Sequence, residues 1–508
     1  MQNVERLLYG KDTTQKIVSI EVNEDQAEVF TEDAGVVSSH LVPNRYWVLL
    51  SGNPGSCTRL KGELHYKYGR QFKSREEFQK FKYRYNDRAK AYSIYDAKEA
   101  LMVKDGYTYF KGMTVNDVSV LSFDLETTGL DPEAEGAHVL LISNTFRSQG
   151  KIIKKLFAYN DYSSVPAFLK AWSDWVREKN PSIITGHNIS TFDFPYLLKI
   201  AEINEFELQL GRDGSAAKSE SYESKFRKEA ASFINYHKTK IYGREIVDTL
   251  FLSIKHDMAS RKYESYALKP IIKQEGLEKE GRVFYDASLI RKNYMIPEEW
   301  EKIKAYCTDD SDDALALFDL MIKPFFYMSQ IVPKSFQTVI ESAPGSQLNS
   351  ILVRSYLQDG YSIPMTSEVH QFQGAISFGI PGIYNNCLRW DLNALYPSIM
   401  MTYEIYDKEK DPNSNFLLLV RSLVTTRLEY KKLFKETKEE RYESMSNSMK
   451  ILCNSMYGLL GAPGLNFNSG KCAEAVTQKG REILQKGIKW ATGKEYKIET
   501  EEEINESA

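Results

Sequence analysis

Cysteine is scarce in this 508-residue sequence, and its five thiols (Cys57, Cys307, Cys387, Cys453, Cys472) stand far apart with no CxxC spacing. That excludes a disulfide framework and a paired-cysteine zinc site, and it suits a reducing compartment. No apolar run approaches the ~18 residues a membrane helix needs, and the opening MQNVERLLYGKDTTQ has no apolar signal core. The expectation is a soluble cytoplasmic protein with no membrane partner. Neither sign of charge dominates: 66 Lys and Arg against 69 Asp and Glu leave a net −3, so any basic surface is local. Internal repeats and long low-complexity tracts are also lacking, which excludes solenoids. What is present is globular text, 42% hydrophobic and 27% charged, long enough for about three domains at roughly 150 residues each.

The text changes character along the chain. Residues 1–110 open with strand-like runs (KIVSIEV, AEVF, RYWVLL), then interleave Lys and Arg with Tyr66, Tyr68, Phe72, Phe78, Phe81, Tyr83 and Tyr85. Basic and aromatic residues together suit single-stranded nucleic acid. They also read as an amphipathic helix, because Phe78, Phe81 and Tyr85 recur at helical spacing and basic stems can cover a core. From Asp117 to about Phe326, buried-strand runs (VSVLSFDLE, HVLLISNTF, PSIITG) alternate with helical ones (VPAFLKAWSDWVREKN, EEWEKIKAYCTDDSDDALALFDLM), the pattern of an α/β domain. Within it, LQLGRDGSAAKSESYESKFRKEAAS is polar and reads as an inserted loop. A basic helical stretch, RSLVTTRLEYKKLFKETKEER, follows, and KIETEEEINESA predicts a frayed acidic tail.

Carboxylates carry the first chemical signal. Strand periodicity puts Val118, Val120, Ser122, Asp124 and Glu126 on one face, with both acids at the strand's C-terminal end, where open α/β sheets bind ligands. Taken alone, such a pair also fits an ordinary surface strand. In GHNISTFDFPYLL a strand runs through a loop into a helix and delivers Asn188 and Asp193 to the same edge, an arrangement that also fits a helix cap. In AYCTDDSDDALALFDLM, helical spacing aligns Ile303, Tyr306, Asp310, Ala314 and Leu317. Burying Asp310 unpaired would be costly, so a metal ion or strong donor should face it, while Asp309, Asp312 and Asp313 are expected in solvent. Asp124, Glu126, Asp193 and Asp310 thus offer hard oxygen ligands for two Mg²⁺ or Mn²⁺ ions, which suits phosphodiester hydrolysis, with Tyr306 orienting water or phosphate.

FDLETTGL, NISTFD and YCTDD resemble, in order, the DxE, Nx3FD and Yx3D motifs of proofreading 3′-5′ exonucleases, and the chain as a whole resembles a family B DNA polymerase. The resemblance implies that Asp124, Glu126, Asp193 and Asp310 are exonuclease metal ligands, that Tyr306 assists, and that Asn188 and Phe192 hold the frayed primer strand. DLNALYPSIM, preceded by the apolar run NNCLRW that is expected as a strand leading to Asp391, resembles motif A, usually DxxSLYPS, with Ala394 in place of Ser. This implies that Asp391 and the Leu392 carbonyl bind Mg²⁺ while Tyr396 packs under the incoming sugar and leaves no room for a 2′-hydroxyl. KILCNSMYGLLG resembles motif B, implying that Lys450 meets the triphosphate, Asn454 and Tyr457 line the nucleotide site, and Gly458 lets the nascent base pair approach. Arg427 and Lys431 resemble two further triphosphate contacts, although a run of bases is also an ordinary solvated face. FQGAISFG resembles the YxG(G/A) segment that couples the two activities. Phe372 replaces its Tyr, and Gly374 and Ala375 would approach the template strand.

The implied fold is α/β and α+β multidomain. It comprises a mixed N-terminal domain (1–110), a ribonuclease H-like exonuclease domain (111–330), a partial palm with motif A (331–412), short helical fingers with motif B (413–465), and the start of a palm helix with an acidic tail (466–508). A palm needs a second carboxylate from a YxDTDS hairpin, motif C, and the sequence shows none. Asp248-Thr249 lies too early in order to serve. The expected function is therefore template-directed DNA synthesis in replication with 3′-5′ proofreading, acting on primer-template DNA and deoxynucleoside triphosphates. Two Mg²⁺ or Mn²⁺ ions are expected at each site, and a second polymerase subunit is expected to bring motif C and the thumb. A sliding clamp is a further partner that the resemblance admits. A divided polymerase of this kind suits a phage, which would place it in the host cytoplasm. The alternatives are a stand-alone exonuclease whose polymerase remnant grips duplex DNA, and a non-catalytic DNA-binding relic.

Overall fold

Alternating apolar and polar residues after a short helix, α1 (Gln2–Tyr9), build two small sheets. Strands β1 (Ile17–Asn23), β2 (Gln26–Asp33) and β3 (Val36–Pro43) form an antiparallel three-stranded sheet. Strands β4 (Tyr46–Leu50), β5 (Thr58–Arg59), β6 (Tyr68–Phe72) and β7 (Ala91–Tyr92) form a four-stranded sheet in the order β5-β6-β4-β7. The chain is described here from a computed structural model covering residues 2–229, 232–258, 260–376, 382–387, 391–392 and 394–493. In the basic-aromatic stretch, helix α2 (Arg75–Arg84) begins at Ser74, whose hydroxyl accepts from the Glu77 amide. It turns Phe78 onto Tyr46, with ring centroids 5.5 Å apart. Phe81 and Tyr85 pack against the same cluster, so helical spacing describes this segment better than a row of free stacking rings. Helix α3 (Ala97–Asp105) starts at Asp96, which accepts from the Lys98 and Glu99 amides.

The next segment alternates strand and helix. Strands β8 (Val120–Thr127), β9 (Val139–Ser148) and β10 (Lys151–Ala158) are antiparallel neighbours, followed by α4 (Val165–Lys179), β11 (Ile183–Gly186) and α5 (Asp193–Ile203). A hairpin of β12 (Lys218–Arg227) and β13 (Phe233–Lys240) then leads into β14 (Glu245–Asp248), α6 (Thr249–Asp257), α7 (Leu268–Gln274), α8 (Ile290–Asn293) and α9 (Pro297–Met321). The five-stranded sheet has the order β10-β9-β8-β11-β14, with β8, β11 and β14 mutually parallel. Their C-terminal ends, at Thr127, Gly186 and Asp248, therefore point to one edge. Leu121, Phe123 and Leu125 pack under α4 and α5, while Val118 and Val120 face the core shared with α6 and α9, as period-two reading predicts.

Two expectations are corrected. The polar segment read as an inserted loop, residues 208–232, carries β12, the first strand of the antiparallel β12–β13 hairpin. Its Ser, Lys and Glu residues cover one face, while Phe226 and Tyr236 anchor the other, Phe226 stacking on Phe251 at 4.0 Å. Polar composition hid that alternation. The run NNCLRW, expected as a strand ahead of Asp391, is irregular at Asn385, Asn386 and Cys387, while Leu388, Arg389 and Trp390 lie outside the described residues.

The remainder is helical: α10 (Lys323–Ser329), α11 (Phe336–Glu341), α12 (Pro344–Gln358), α13 (Leu395–Thr402), α14 (Asn415–Thr437), α15 (Glu440–Asn454), α16 (Met456–Gly461) and α17 (Gly470–Thr492). Leu348, Ile351, Leu352, Phe416, Leu419, Leu452, Met456 and Val476 form its core together with Leu7 and Leu8 of α1. The buried Arg354 ties the two ends together by donating to the Leu7 and Leu8 carbonyls at 2.9 and 2.6 Å. The first 110 residues thus feed several cores. The acidic tail, from 494 on, lies outside the described residues. No described helix is long and apolar enough to cross a membrane.

Candidate active site

Asp124 and Glu126 leave β8 on the face turned toward α9, at the sheet edge where β11 and β14 also end. Burial, together with the negative charges of Asp310, Glu126 and Asp193, pushes Asp124 well above the usual carboxylate range. Burial and Asp310 do the same to Glu126, and Lys269 pulls both partly back. Asp193, the first residue of α5, is pushed up to about 8 by burial and by Asp248. Crowded carboxylates of this kind resist ionising together unless a cation joins them. An anionic, oxygen-rich donor set fits hard divalent ions, so Asp124, Glu126, Asp193 and Asp310 are the residues that would hold them.

On α9 the predicted inward stripe is realised, with Ile303, Tyr306, Asp310, Ala314 and Leu317 all buried. Asp310 is faced by strong donors, Arg282 in a short ion pair and Lys269 at 3.3 Å. Lys269 also donates to the Tyr306 hydroxyl and sits over its ring. Burial and the charges of Asp310, Glu126 and Asp124 raise the Tyr306 phenol far enough that it keeps its proton.

The neighbouring acids depart from expectation. Asp309 and Asp313 are buried rather than solvated, and Asp312 is largely covered. Asp313 accepts from Arg282 at 2.6 Å, Asp309 accepts from the Val283 amide at 2.8 Å and pairs with Lys279, and Asp312 takes Thr145 at 2.7 Å and Lys279 at 2.8 Å. The segment from Lys269 to Val283 wraps α9 and supplies cations that helical periodicity could not anticipate.

A tight turn sets the other wall. Asn188 takes the left-handed conformation at φ +70°, and its side-chain oxygen accepts from Thr191, so it does not cap α5. Asp248 holds the turn by accepting from the Asn188 amide at 2.8 Å and the Ser190 amide at 2.9 Å. Burial raises Asp248 to about 6. Gly186 permits the approach, because a Cβ there would lie 2.5 Å from the Phe123 carbonyl oxygen. Phe192 rests on Tyr196 with centroids 5.5 Å apart and is partly exposed. Beside this turn, a cavity of about 730 Å³ opens between α5 and the hairpin, lined by Ser190, Thr191, Lys199, Asn235 and His237.

The residues of the polymerase-like motifs lie elsewhere, on the helical part. Asp391 is exposed in an irregular segment, with Leu392 partly covered beside it. Tyr396 on α13 leans against Tyr457 of α16, ring centroids 4.8 Å apart. Gly480 of α17 gives it room, since a Cβ there would meet the ring at 3.3 Å. Arg427 on α14 is half-buried, whereas Lys431, Lys450 and Asn454 are exposed. α15 and α16 meet at Ser455, which keeps helical dihedrals, so Lys450, Asn454, Tyr457 and the exposed Gly458 follow one another along the same run. Phe372 packs on the helical core. Arg481 holds the segment after it by donating to the Gln373 and Gly374 carbonyls at 2.9 and 2.6 Å, and Thr477 adds a bond to Gln373 at 3.1 Å; Ala375 is exposed.

Sequence reading missed Lys269, Arg282, Asp248, Cys307 and Arg481 as parts of these sites. Asp248 at the end of an apolar strand was the one detectable signal.

Comparison with known proteins agrees with this layout. Residues 79–271 match DNA polymerase family B, exonuclease domain, and residues 406–507 match DNA polymerase family B. The chain is similar to the DNA polymerase delta catalytic subunit of Plasmodium falciparum, 28% identical over 437 residues, covering 72% of this chain and 39% of that protein. It is also similar to a DNA polymerase of Archaeoglobus fulgidus, 25% identical over 415 residues, covering 76% and 49% respectively. It therefore spans half or less of the length of these curated relatives. In fold it resembles the family B DNA polymerase of the archaeon Pyrobaculum calidifontis, with a TM-score of 0.72 at 18% identity, covering 93% of this chain and 71% of that one.

Proposed function

Because the chain belongs to DNA polymerase family B, with the family's exonuclease domain and part of its polymerase domain over residues 406–507, we propose that it proofreads and, once its palm is completed by a second polypeptide, extends DNA primers. The observation that carries the nuclease half is the convergence of Asp124, Glu126, Asp193, Asp310 and Tyr306 at one sheet edge. Divalent ions bound there would activate water and stabilise the leaving 3′-oxygen of the primer. The chain's own residues do the rest. Asp248 fixes the Asn188 turn so that Asn188 and Phe192 hold the terminal nucleotides. Tyr306, kept protonated, donates toward the scissile phosphate or its water, and Lys269 positions that phenol. Arg282 holds Asp310 in place.

On the polymerase side, Asp391 and the Leu392 carbonyl would take Mg²⁺. Arg427, Lys431 and Lys450 would meet the triphosphate, Tyr396, Asn454 and Tyr457 would shape the nucleotide site, and Phe372, Gly374, Ala375 and Gly458 would lie along the DNA. Exposed cations on a helix pair suit a substrate that arrives from solution. The RNase H-like assignment of the five-stranded domain, the palm-and-fingers division, the sliding clamp and the host cytoplasm belong to the same proposal.

The test is end-labelled primer-template with Mg²⁺, with and without deoxynucleotides, beside Asp124→Ala/Glu126→Ala. Shortening that vanishes in the variant, without lengthening, supports a nuclease awaiting its partner. Extension restored by a stoichiometric second polypeptide supports the divided polymerase. Lengthening by the chain alone would overturn the need for a partner.

A further inference from the structure

The oxygen-rich edge contains one soft atom. Cys307 lies on α9 between Tyr306 and Asp310, is fully buried, and directs its thiol at the Asp124 carboxylate, 3.8 Å away, and the Asp124 carbonyl, 3.9 Å away. One ligand atom each from Asp124, Glu126 and Cys307 lie within 4.8 Å of one another. The sulfur is fixed there. Ser143 donates to the Cys307 carbonyl at 2.6 Å, and Leu140, Leu141 and Ile303 pack around the residue.

The separation between the sulfur and the Asp124 carboxylate fits one class of ion. A tetrahedral Zn²⁺ with sulfur at about 2.3 Å and oxygen at about 2.0 Å separates those two ligand atoms by about 3.5 Å, and the larger Cd²⁺ widens this by a few tenths. The 3.8 Å between the Cys307 sulfur and the Asp124 carboxylate falls in that interval. Mg²⁺ prefers an octahedron of oxygens at about 2.1 Å and gains nothing from sulfur.

We propose that Cys307, Asp124 and Glu126 form a thiolate-dicarboxylate site for a thiophilic divalent ion of the zinc group, in competition with the hard ion that the same carboxylates would take. Binding forms one metal-sulfur and two metal-oxygen bonds and releases the thiol proton to solvent. No atom changes oxidation state, and the remaining coordination position stays open to water. The competition with Mg²⁺ rests on the nuclease reading above; the thiolate site does not.

The probe is Cd²⁺ alone, titrated into the full chain carrying Cys57→Ser, Cys387→Ser and Cys472→Ser, the three cysteines that are not buried. The readout is the ultraviolet thiolate-to-cadmium charge-transfer band, with calorimetry for stoichiometry. We expect saturation at one ion per chain, loss of the band with Cys307→Ser, and at least about tenfold weaker binding with Asp124→Ala/Glu126→Ala, which keeps the thiol. A band that survives Cys307→Ser, one indifferent to the carboxylates, or no band at all overturns the proposal. Primer shortening in Mg²⁺ by the same parent reads the nuclease assignment separately. A cadmium band that meets these criteria without shortening supports the thiolate site and overturns only the nuclease.

Discussion

The sheet-edge cluster and the α14–α15 helix pair hold their charges in opposite ways. At the edge, Asp309, Asp310 and Asp313 are buried and met by Lys269, Lys279, Arg282 and the Val283 amide before any substrate arrives. On the helices, Lys431 and Lys450 face solvent. Charges organised within one chain can be desolvated because their counter-charges come with them. On the proposed function, the helix-pair cations await an incoming anion and stay hydrated until it binds. The first region is therefore sensitive to single substitutions in its folding as well as its chemistry, the second in its chemistry alone.

The sharpest way to break that contrast is at the acids themselves. Asp124→Ala/Glu126→Ala should lower primer shortening by about a thousandfold or more, measured as single-turnover rate in Mg²⁺, while leaving the fold intact because it relieves repulsion. Next, Arg282→Ala strips Asp310 and Asp313 of their shared buried guanidinium. It should cost about 3–5 kcal/mol in urea unfolding, with little rescue by Lys, which cannot bridge both acids.

A third effect follows from pH. Asp193, whose ordinary value is 3.8, is raised in the folded state to about 8. Its contribution to stability is therefore full below about 4 and is lost as the pH rises through about 8. Without divalent ions the melting temperature should fall across that window. Mg²⁺ should raise it by about 2–4 °C at pH 8 and hardly at all at pH 5, read by calorimetry. Equal Mg²⁺ effects at both values would sink the idea that ions offset this repulsion. The smallest effect is expected at the helix pair: Lys431→Ala should change stability by no more than about 0.5 kcal/mol. A larger loss would mean that the exposed cations also support the fold.

How much was legible follows from which periodicity each residue obeys. Asp124 and Glu126 were readable because a strand alternates, and Leu121, Phe123 and Leu125 do pack on the opposite side from Val118 and Val120. Asp310 was readable because Tyr306 and Ala314 share its helical stripe. The β12–β13 hairpin was not, because only Phe226 and Tyr236 betray its buried face amid Ser, Lys and Glu. Asp309 and Asp313 were misjudged for a related reason. A helical wheel shows which side of α9 meets the sheet, and it is silent about a segment that crosses the other side carrying Arg282 and Lys279.

Local residue order thus sufficed for the motifs and for the strand and helix that carry them, since each depends on spacing within a dozen or so residues. Only the tertiary structure decided the counter-charges of α9, the hold of Asp248 on the Asn188 turn, and the placement of Cys307 against Asp124. Those contacts join residues up to 183 positions apart, as with Cys307 and Asp124. A contact across that distance is set by how strands and helices pack, and the periodicity of a single element carries no record of it.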